Sequence, residues 1–265
     1  MIFFMTSDPK VSLIFVNYQS AFYLKKALKS LFYLETNKTV FEVIIVNNDP
    51  SEKEMMLCLA EEFPCLIVTN DENNGFGAGN NKGASLAKGH ILGFINPDTL
   101  WQKQCLEDVI RFFEKDKTVG ILGMTMYTEK NEEEAFSFGI APTLFSLLRN
   151  NMFGSIKEKN VIDFVSGGAL FIPKDIFDQV KGFDEDFFLY FEDVDLCQRV
   201  RKLNMSITRK KDFPILHLGG KSQNKKAQQK KEFYISQQKY FQKHRPTWES
   251  KTLRFLHFLL LLKNI

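Results

Sequence analysis

The sequence predicts an α/β fold with a mostly parallel central sheet and helices on both faces. Three observations point there. Between residues 11 and 95, four short apolar runs alternate with helical segments, the pattern of a parallel sheet. The runs are rich in Val, Ile, Leu and Phe, as buried strands are. Each run gives way to polar residues: Asn17-Tyr18, Asn47-Asn48-Asp49, an Asn/Gly-rich loop from Asn70 to Gly79, and Asn96-Pro97-Asp98. Ligands on such sheets sit beyond the carboxyl ends of the strands, so these polar groups converge on one edge.

The elements follow in order. Val11 to Val16 reads as a buried strand, and Ser20 caps a helix to about Leu34 with Leu24, Ala27, Leu28 and Leu31 on one face. Phe41 to Val46 is a second strand, Glu52 to Phe63 a helix, and Leu66 to Thr69 a short third strand. The Asn/Gly loop then leads into a helix ending near Ala87, and His90 to Ile95 is the fourth strand. In the second half, Leu106 to Lys115 reads as a helix, Val119 to Met126 and Phe164 to Ile172 as strands, and Glu192 to Leu203 as a helix. Residues 128 to 160, which include Glu132-Glu133-Glu134, carry no clear period; a lid or an acceptor-binding insertion is expected there.

Composition narrows the class. At 265 residues the chain buries a sizeable core, and 27 phenylalanines suit a Phe-rich one. Cys58, Cys65, Cys105 and Cys197 form no metal or disulfide spacing and read as reduced core thiols, which favours a cytosolic face. Met1 to Thr6 lacks the pattern of a signal peptide. Net charge is +3 but polarised: from Arg209 onward the balance is +11, leaving −8 for the first 208 residues. A basic tail on an acidic body suggests an anionic partner such as nucleic acid, lipid head groups or a diphosphate; a solvated helix face is the plainer reading.

Chemistry-bearing motifs cluster at the predicted loops. Asn73 to Gly83 is Gly-rich and opens a helix whose N-terminus can face an anion, yet it has neither the dinucleotide nor the P-loop spacing. Asp98, on a strand-end loop, suits Mg²⁺ or Mn²⁺, while a type I turn explains Asn96-Pro97-Asp98 equally well. The paired Gly167-Gly168 permits close backbone approach to a ligand. Phe187 to Arg199 sets Glu192, Asp193 and Asp195 behind an aromatic block at a helix start. Helical geometry puts Glu192 and Asp195 on one face, with Asp195 able to pair Arg199 at i,i+4. Asp193 is then expected to face the cleft while the other two orient the helix. His217, before Gly219-Gly220, is either a structural histidine or a ligand alongside Asp98.

Together these residues resemble the family 2 glycosyltransferases with the GT-A nucleotide-diphospho-sugar transferase fold, and within them a bacterial rhamnosyltransferase-like branch. The resemblance rests on Val16 to Ser20, Asn73 to Gly77, Asn96 to Thr99, Val165 to Ala169, Gly182 to Glu185, Phe188 to Asp195 and His217 to Ser222, in that order. It implies an inverting, metal-dependent transfer of a sugar, with Asp193 as catalytic base and Asp98 and His217 holding Mg²⁺ or Mn²⁺. Asn17, Tyr18, Asn47, Asn74, Gly75, Phe76, Asn80 and Asn96 would bind the donor, supported by Glu192, Asp195, Gly167 and Gly168. The implied donor is a dTDP- or UDP-sugar, with rhamnose from dTDP-rhamnose expected and another UDP-hexose or N-acetylhexosamine as the alternative. The implied acceptor is a glycan or lipid-linked molecule of surface polysaccharide synthesis. Two positions depart from the family pattern: Asn47 stands for a base-reading Asp, and Asn96 for the first acid of a D-x-D motif.

The expected organisation is a GT-A domain over residues 1–222 and a basic helical appendage over residues 223–265. Asn224 to Lys243 reads as a Lys/Gln-rich helix broken by Pro246, and Trp248 to Ile265 follows with Leu253, Leu256 and Leu259 to Leu262. That apolar run is too short to span a bilayer. A helix lying on the cytoplasmic face of the inner membrane is expected, with a core-packed or dimer helix as the alternative. Two other classes fit the sequence less well: a sugar-1-phosphate nucleotidyltransferase, which would carry a Gly-rich basic segment after the first strand where Asn17 to Ser20 stand, and a nucleic-acid-binding module. The acidic body argues against a nucleic-acid partner.

Overall fold

A computed structural model describes residues 8–135, 137–153, 162–219 and 226–262. In chain order the elements are β1 (Val11–Asn17), α1 (Ala21–Leu34), β2 (Phe41–Asn47), a 3₁₀ turn (Pro50–Glu52), α2 (Lys53–Glu62), β3 (Leu66–Thr69), α3 (Phe76–Leu86), β4 (Ile91–Ile95) and β5 (Thr99–Trp101). There follow α4 (Leu106–Lys115), β6 (Val119–Tyr127), β7 (Phe138–Gly139), α5 (Leu144–Phe153), β8 (Phe164–Val165), β9 (Ala169–Pro173) and α6 (Lys174–Gln179). The chain continues through α7 (Glu192–Arg201), β10 (Ser206–His217), α8 (Lys226–His244) and α9 (Thr247–Leu262).

The main sheet has the order β3-β2-β1-β4-β9-β6-β10-β5. The first four strands in that order are parallel, as expected; β9 runs antiparallel between β4 and β6, and β5 antiparallel to β10. Every residue of β1, β2 and β4 is buried, because helices cover both sides. On one side Leu24, Leu28 and Leu31 of α1 pack with Met56, Leu59, Leu106 and Val109 against Leu13 and Phe15. On the other, Ala84, Phe177, Leu196 and Val200 pack against Ile14, Leu92 and Phe94. Each such fully buried aliphatic or aromatic side chain contributes about 1.5–3 kcal/mol.

Several local expectations are corrected. Ser20 does not cap α1 with its side chain; its hydroxyl donates to Asn17 Oδ1, and the Glu52 carboxylate accepts the Ser20 and Ala21 backbone N–H groups. Helix α3 begins at Phe76, inside the segment read as loop. The stretch Phe164 to Ile172 is two strands interrupted at Ser166-Gly167-Gly168. Cys58 is exposed and Cys65 half-buried, so only Cys105 and Cys197 are core thiols.

Residues 128–134, which carry no clear period in the sequence, fold back as a tight hairpin on the end of β6. Asn131 donates its N–H to Thr128 O, Thr128 to Glu132 O, and Glu134 to Met126 O. The two last helices do not stand apart. A third apolar cluster joins Tyr240 and Phe241 of α8 and Leu253 of α9 to Leu144, Phe187, Phe191 and Val194. The reading of Met1 to Thr6, and the Gly220 to Ser222 end of the His217 motif, lie outside the described residues.

Candidate active site

Strand pairing brings Asp98 and His217 together. Residue 99 opens β5, and β5 pairs with the end of β10 so that Thr99 stands opposite His217. Leu218 donates its N–H to Asp98 O at 2.9 Å, closing the register one step further. The His217 Nε2 consequently lies 3.1 Å from Asp98 Oδ1. On the other side of the ring, Nδ1 lies 2.8 Å from Glu134 Oε2. Burial alone would lower the His217 pKa, but a carboxylate on each ring nitrogen holds it up to about 10.

Sequence reading missed Glu134. It sits in an acidic run without periodicity, and only the hairpin at the end of β6 carries it to the histidine. Its bond fixes the ring, as carboxylates do behind metal-ligating histidines. The Asp98 carboxylate is the oxygen ligand that Mg²⁺ and Mn²⁺ favour, and the His217 Nε2 facing it becomes a second donor once a metal displaces its proton. Among the described residues no group of three or more His, Cys, Asp or Glu forms a metal cage. Two protein ligands with the remaining positions left to substrate phosphate and water is the usual arrangement for Mg²⁺ on a phosphorylated substrate. The residues present therefore fit such an ion.

The acids at the start of α7 take three different environments. Asp193 Oδ2 accepts the Gly167 N–H at 2.8 Å, and Oδ1 accepts the Val194 N–H at 2.7 Å. Burial raises its pKa while those two N–H groups pull the other way. A Cβ at Gly167 would stand 3.1 Å from the Phe76 ring and 3.3 Å from the Asp193 Cβ, so a side chain there would press on both. Glu192 is 5% exposed and its Oε2 has no protein partner. Burial first, then the adjacent Asp193, raise its pKa well above the ordinary glutamate range. Glu192 thus corrects the expectation that it only orients the helix: it lines the same cavity as Asp193.

Asp195 does orient the helix, and more strongly than i,i+4 spacing indicated. It is fully buried, and Arg199 Nε meets its Oδ2 at 2.7 Å. Lys243 Nζ and His244 Nε2, both from α8, meet its Oδ1 at 2.7 Å each. Burial would raise its pKa, but His244, Arg199 and Lys243 outweigh this and lower it to about 2. Arg199 also donates to Val180 O and Gly182 O at 2.6 Å each, tying α7 to the turn after α6.

Just before α7, Tyr190 and Phe191 adopt left-handed φ angles of 69° and 66°. Bulky residues there cost about 1–3 kcal/mol each. The cost is offset by packing on α8: the Phe191 ring lies 5.3 Å from Phe233 and 5.5 Å from Tyr240, and Ser236 donates to Leu189 O at 2.8 Å. The same segment covers the start of α3. Phe76 donates its N–H to Phe188 O, and Gly75, with φ of 88°, leaves no room for a Cβ, which would stand 2.5 Å from that oxygen.

A cavity of about 610 Å³ opens at these groups. Phe76, Asn96, Gly167, Gly168, Glu192, Asp193, Glu134 and His217 line it; Asp98 lies behind His217, outside the lining. The other residues expected to hold a donor are placed differently. Asn17 and Asn47 are fully buried at paired ends of β1 and β2. Asn17 Nδ2 donates to Asn47 Oδ1 and to Glu52 Oε2, and Asn47 Nδ2 donates to Asp49 O. Their amides are engaged in shaping the strand ends, so base reading by the Asn47 side chain is not supported. Asn80 turns its Nδ2 back to Phe76 O. Tyr18 is half-buried and Asn74 exposed, on the loops after β1 and before α3.

Comparison with known proteins gives consistent likenesses. A family model described as glycosyl transferase family 2 matches residues 12–181. A second, described as the N-terminal domain of galactosyltransferase, matches residues 152–218. The rhamnosyltransferase WbbL of Escherichia coli K12 is 24% identical over 224 residues, covering 78% of this chain and 83% of that protein. Among solved structures, the mannosyltransferase PcManGT from Pyrobaculum calidifontis, in complex with GDP-Man and Mn²⁺, superposes with a TM-score of 0.64 at 15% identity. That match covers 94% of this chain and 69% of the other. TarS of S. aureus superposes with a TM-score of 0.60 at 17% identity over 88% of this chain, which spans 43% of that structure. These structural likenesses are of fold.

Proposed function

This chain belongs to glycosyl transferase family 2 and has the GT-A fold, and on that premise we propose that it transfers a sugar from a nucleotide-sugar donor to an acceptor hydroxyl by one inverting displacement. The observation that carries the reading is Asp193, held by two backbone N–H groups on the wall of a cavity that also exposes His217. In this reading Asp193 takes the proton of the acceptor hydroxyl as that oxygen bonds to the anomeric carbon. The bond from that carbon to the diphosphate oxygen breaks, and the nucleoside diphosphate leaves with the electron pair. Burial raises the Asp193 pKa toward the working range of a general base, which typically contributes 10²–10⁴-fold.

Asp98 and His217 would hold Mg²⁺ or Mn²⁺, which when bound neutralises charge on the leaving diphosphate. Glu134 keeps the His217 ring turned toward Asp98. Phe76 and Asn96 border the same space from the α3 and β4 ends, where a donor would lie across the strand ends. The likeness to a rhamnosyltransferase supports rhamnose as the transferred sugar; dTDP-rhamnose as its donor and a surface polysaccharide as the destination follow from the family resemblance, with a UDP-hexose or N-acetylhexosamine donor as the alternative.

Thermal stabilisation by a panel of nucleotide diphosphates and nucleotide sugars, with and without Mn²⁺ or Mg²⁺, tests this. The expected result is a metal-dependent rise in Tm with one base, lost in Asp98→Ala. A Tm that no nucleotide moves in either condition overturns the reading.

A further inference from the structure

Helix α9 has two faces of opposite fate. Glu249, Ser250 and Leu253 are buried, with Leu256 and His257 half-buried beside them. This face is pinned: Glu249 pairs with Arg245 and accepts the Leu144 N–H, Gln238 donates to Ser250, and His257 meets Gln237 Oε1 at 2.9 Å. The rotation of α9 against α8 and α5 is therefore set by the protein.

The opposite face is exposed and apolar. Trp248 is 62% exposed, Phe255 60%, Phe258 55% and Leu259 38%. Steps of seven, three and four residues keep them on one side of the helix. Lys251, three residues after Trp248 and four before Phe255, is exposed within the stripe, and Arg254 is exposed at its border. Four large apolar side chains left in water on a pinned helix form a surface that a soluble protein ordinarily covers.

We propose that this face seats α9 in the interface of an anionic bilayer. Aromatic and aliphatic residues on one side of a helix with cations beside them are what headgroup-level insertion uses. Charge selects this occupant over a second copy of the chain. Residues 226–262 carry eight Lys or Arg against two Asp or Glu. Two copies meeting here would bring those cations together, whereas an anionic surface attracts them. Among the described residues no helix is long and apolar enough to cross a membrane, so the contact is one of lying on the surface. Helix α8, on which α9 is pinned, is part of the cavity: Phe233 and Gln237 stand in the wall that holds Asp193. Docking would therefore hold the active-site cavity beside the bilayer.

The test is flotation of the full chain with phosphatidylcholine vesicles, with and without phosphatidylglycerol. The unaltered protein should float with the anionic vesicles. The triple variant Trp248→Gln/Phe255→Gln/Phe258→Gln should lose at least about tenfold in partitioning, and Lys251→Gln/Arg254→Gln should weaken binding to anionic vesicles only. These side chains are exposed, so melting temperature should stay within a few degrees and report a folded protein. Equal flotation of the triple variant, no flotation of the unaltered protein, or a dimer that the triple variant turns into a monomer would each overturn the proposal. Nucleotide-induced stabilisation is read separately on the same variants, so a failure of membrane docking and a failure of the transferase reading are told apart.

Discussion

His217 and Asp98 lie 119 residues apart in sequence, and their side chains meet at 3.1 Å because β5 and β10 pair antiparallel immediately beside them. Glu134 closes the other side of the ring. This triad accounts for the first prediction. Glu134→Gln keeps a hydrogen bond to His217 but removes the charge behind it, so metal affinity should fall about 10–100-fold while the fold persists. Titration of Mn²⁺ against nucleotide-dependent Tm, or by calorimetry, measures it. An unchanged affinity would show that Glu134 only braces the hairpin.

Asp193 and Glu192 should separate cleanly. Asp193→Asn should lower turnover by about 10²–10⁴-fold, with nucleotide stabilisation retained. Glu192 has its pKa raised by burial and by Asp193. Its contribution to stability is thus fully present below the unfolded value near 4.5 and is lost as pH rises through the folded one. Glu192→Gln removes that titration, so the Tm difference between the variant and the unaltered protein should grow in the variant's favour as pH rises. Parallel Tm–pH curves would contradict a buried neutral Glu192.

Asp195 shows the opposite sign. Its pKa is depressed from 3.8 to about 2, so its stabilisation is present above pH 3.8 and is lost as pH falls toward 2. The difference corresponds to roughly 2 kcal/mol. Asp195→Asn leaves the half-buried Arg199 and Lys243 of α8 without their anion and should cost about 3–5 kcal/mol in urea unfolding. Because Lys243 and His244 lie on α8, the variant should also loosen α8, read as faster amide exchange in residues 226–244.

Gly75→Ala tests the contact between α3 and the Phe188 backbone. A methyl group at φ of 88° and 2.5 Å from Phe188 O should cost about 1–3 kcal/mol and shift the segment leading to Asp193. Activity should therefore fall more steeply than stability. Loss of Tm alone, with activity per folded molecule unchanged, would mean that the segment tolerates the displacement.

Much of the scaffold was legible because it rests on local pattern. Val11 to Val16, Phe41 to Val46 and His90 to Ile95 announced buried strands by continuous apolar character, and the structure buries β1, β2 and β4 throughout. The pairing of Asp195 with Arg199 was legible because a helix places i and i+4 side by side. The assignment of Glu192 failed on the same rule: helical spacing states which residues share a face, not whether that face meets protein or a cavity.

Chain order and period by themselves determined the α/β class, the strand ends where polar groups gather, and the acids opening α7. Tertiary structure alone decided which of those groups meet. Glu134 reaches His217 across 83 residues, and His244 reaches Asp195 across 49, through strand pairing and helix docking that leave no period in the sequence. Tertiary packing likewise turned the amides of Asn17 and Asn47 inward on each other. The physical reason is range. Backbone geometry repeats over a few residues and is written locally, whereas a side chain's partner, charge state and exposure depend on what distant segments bury against it.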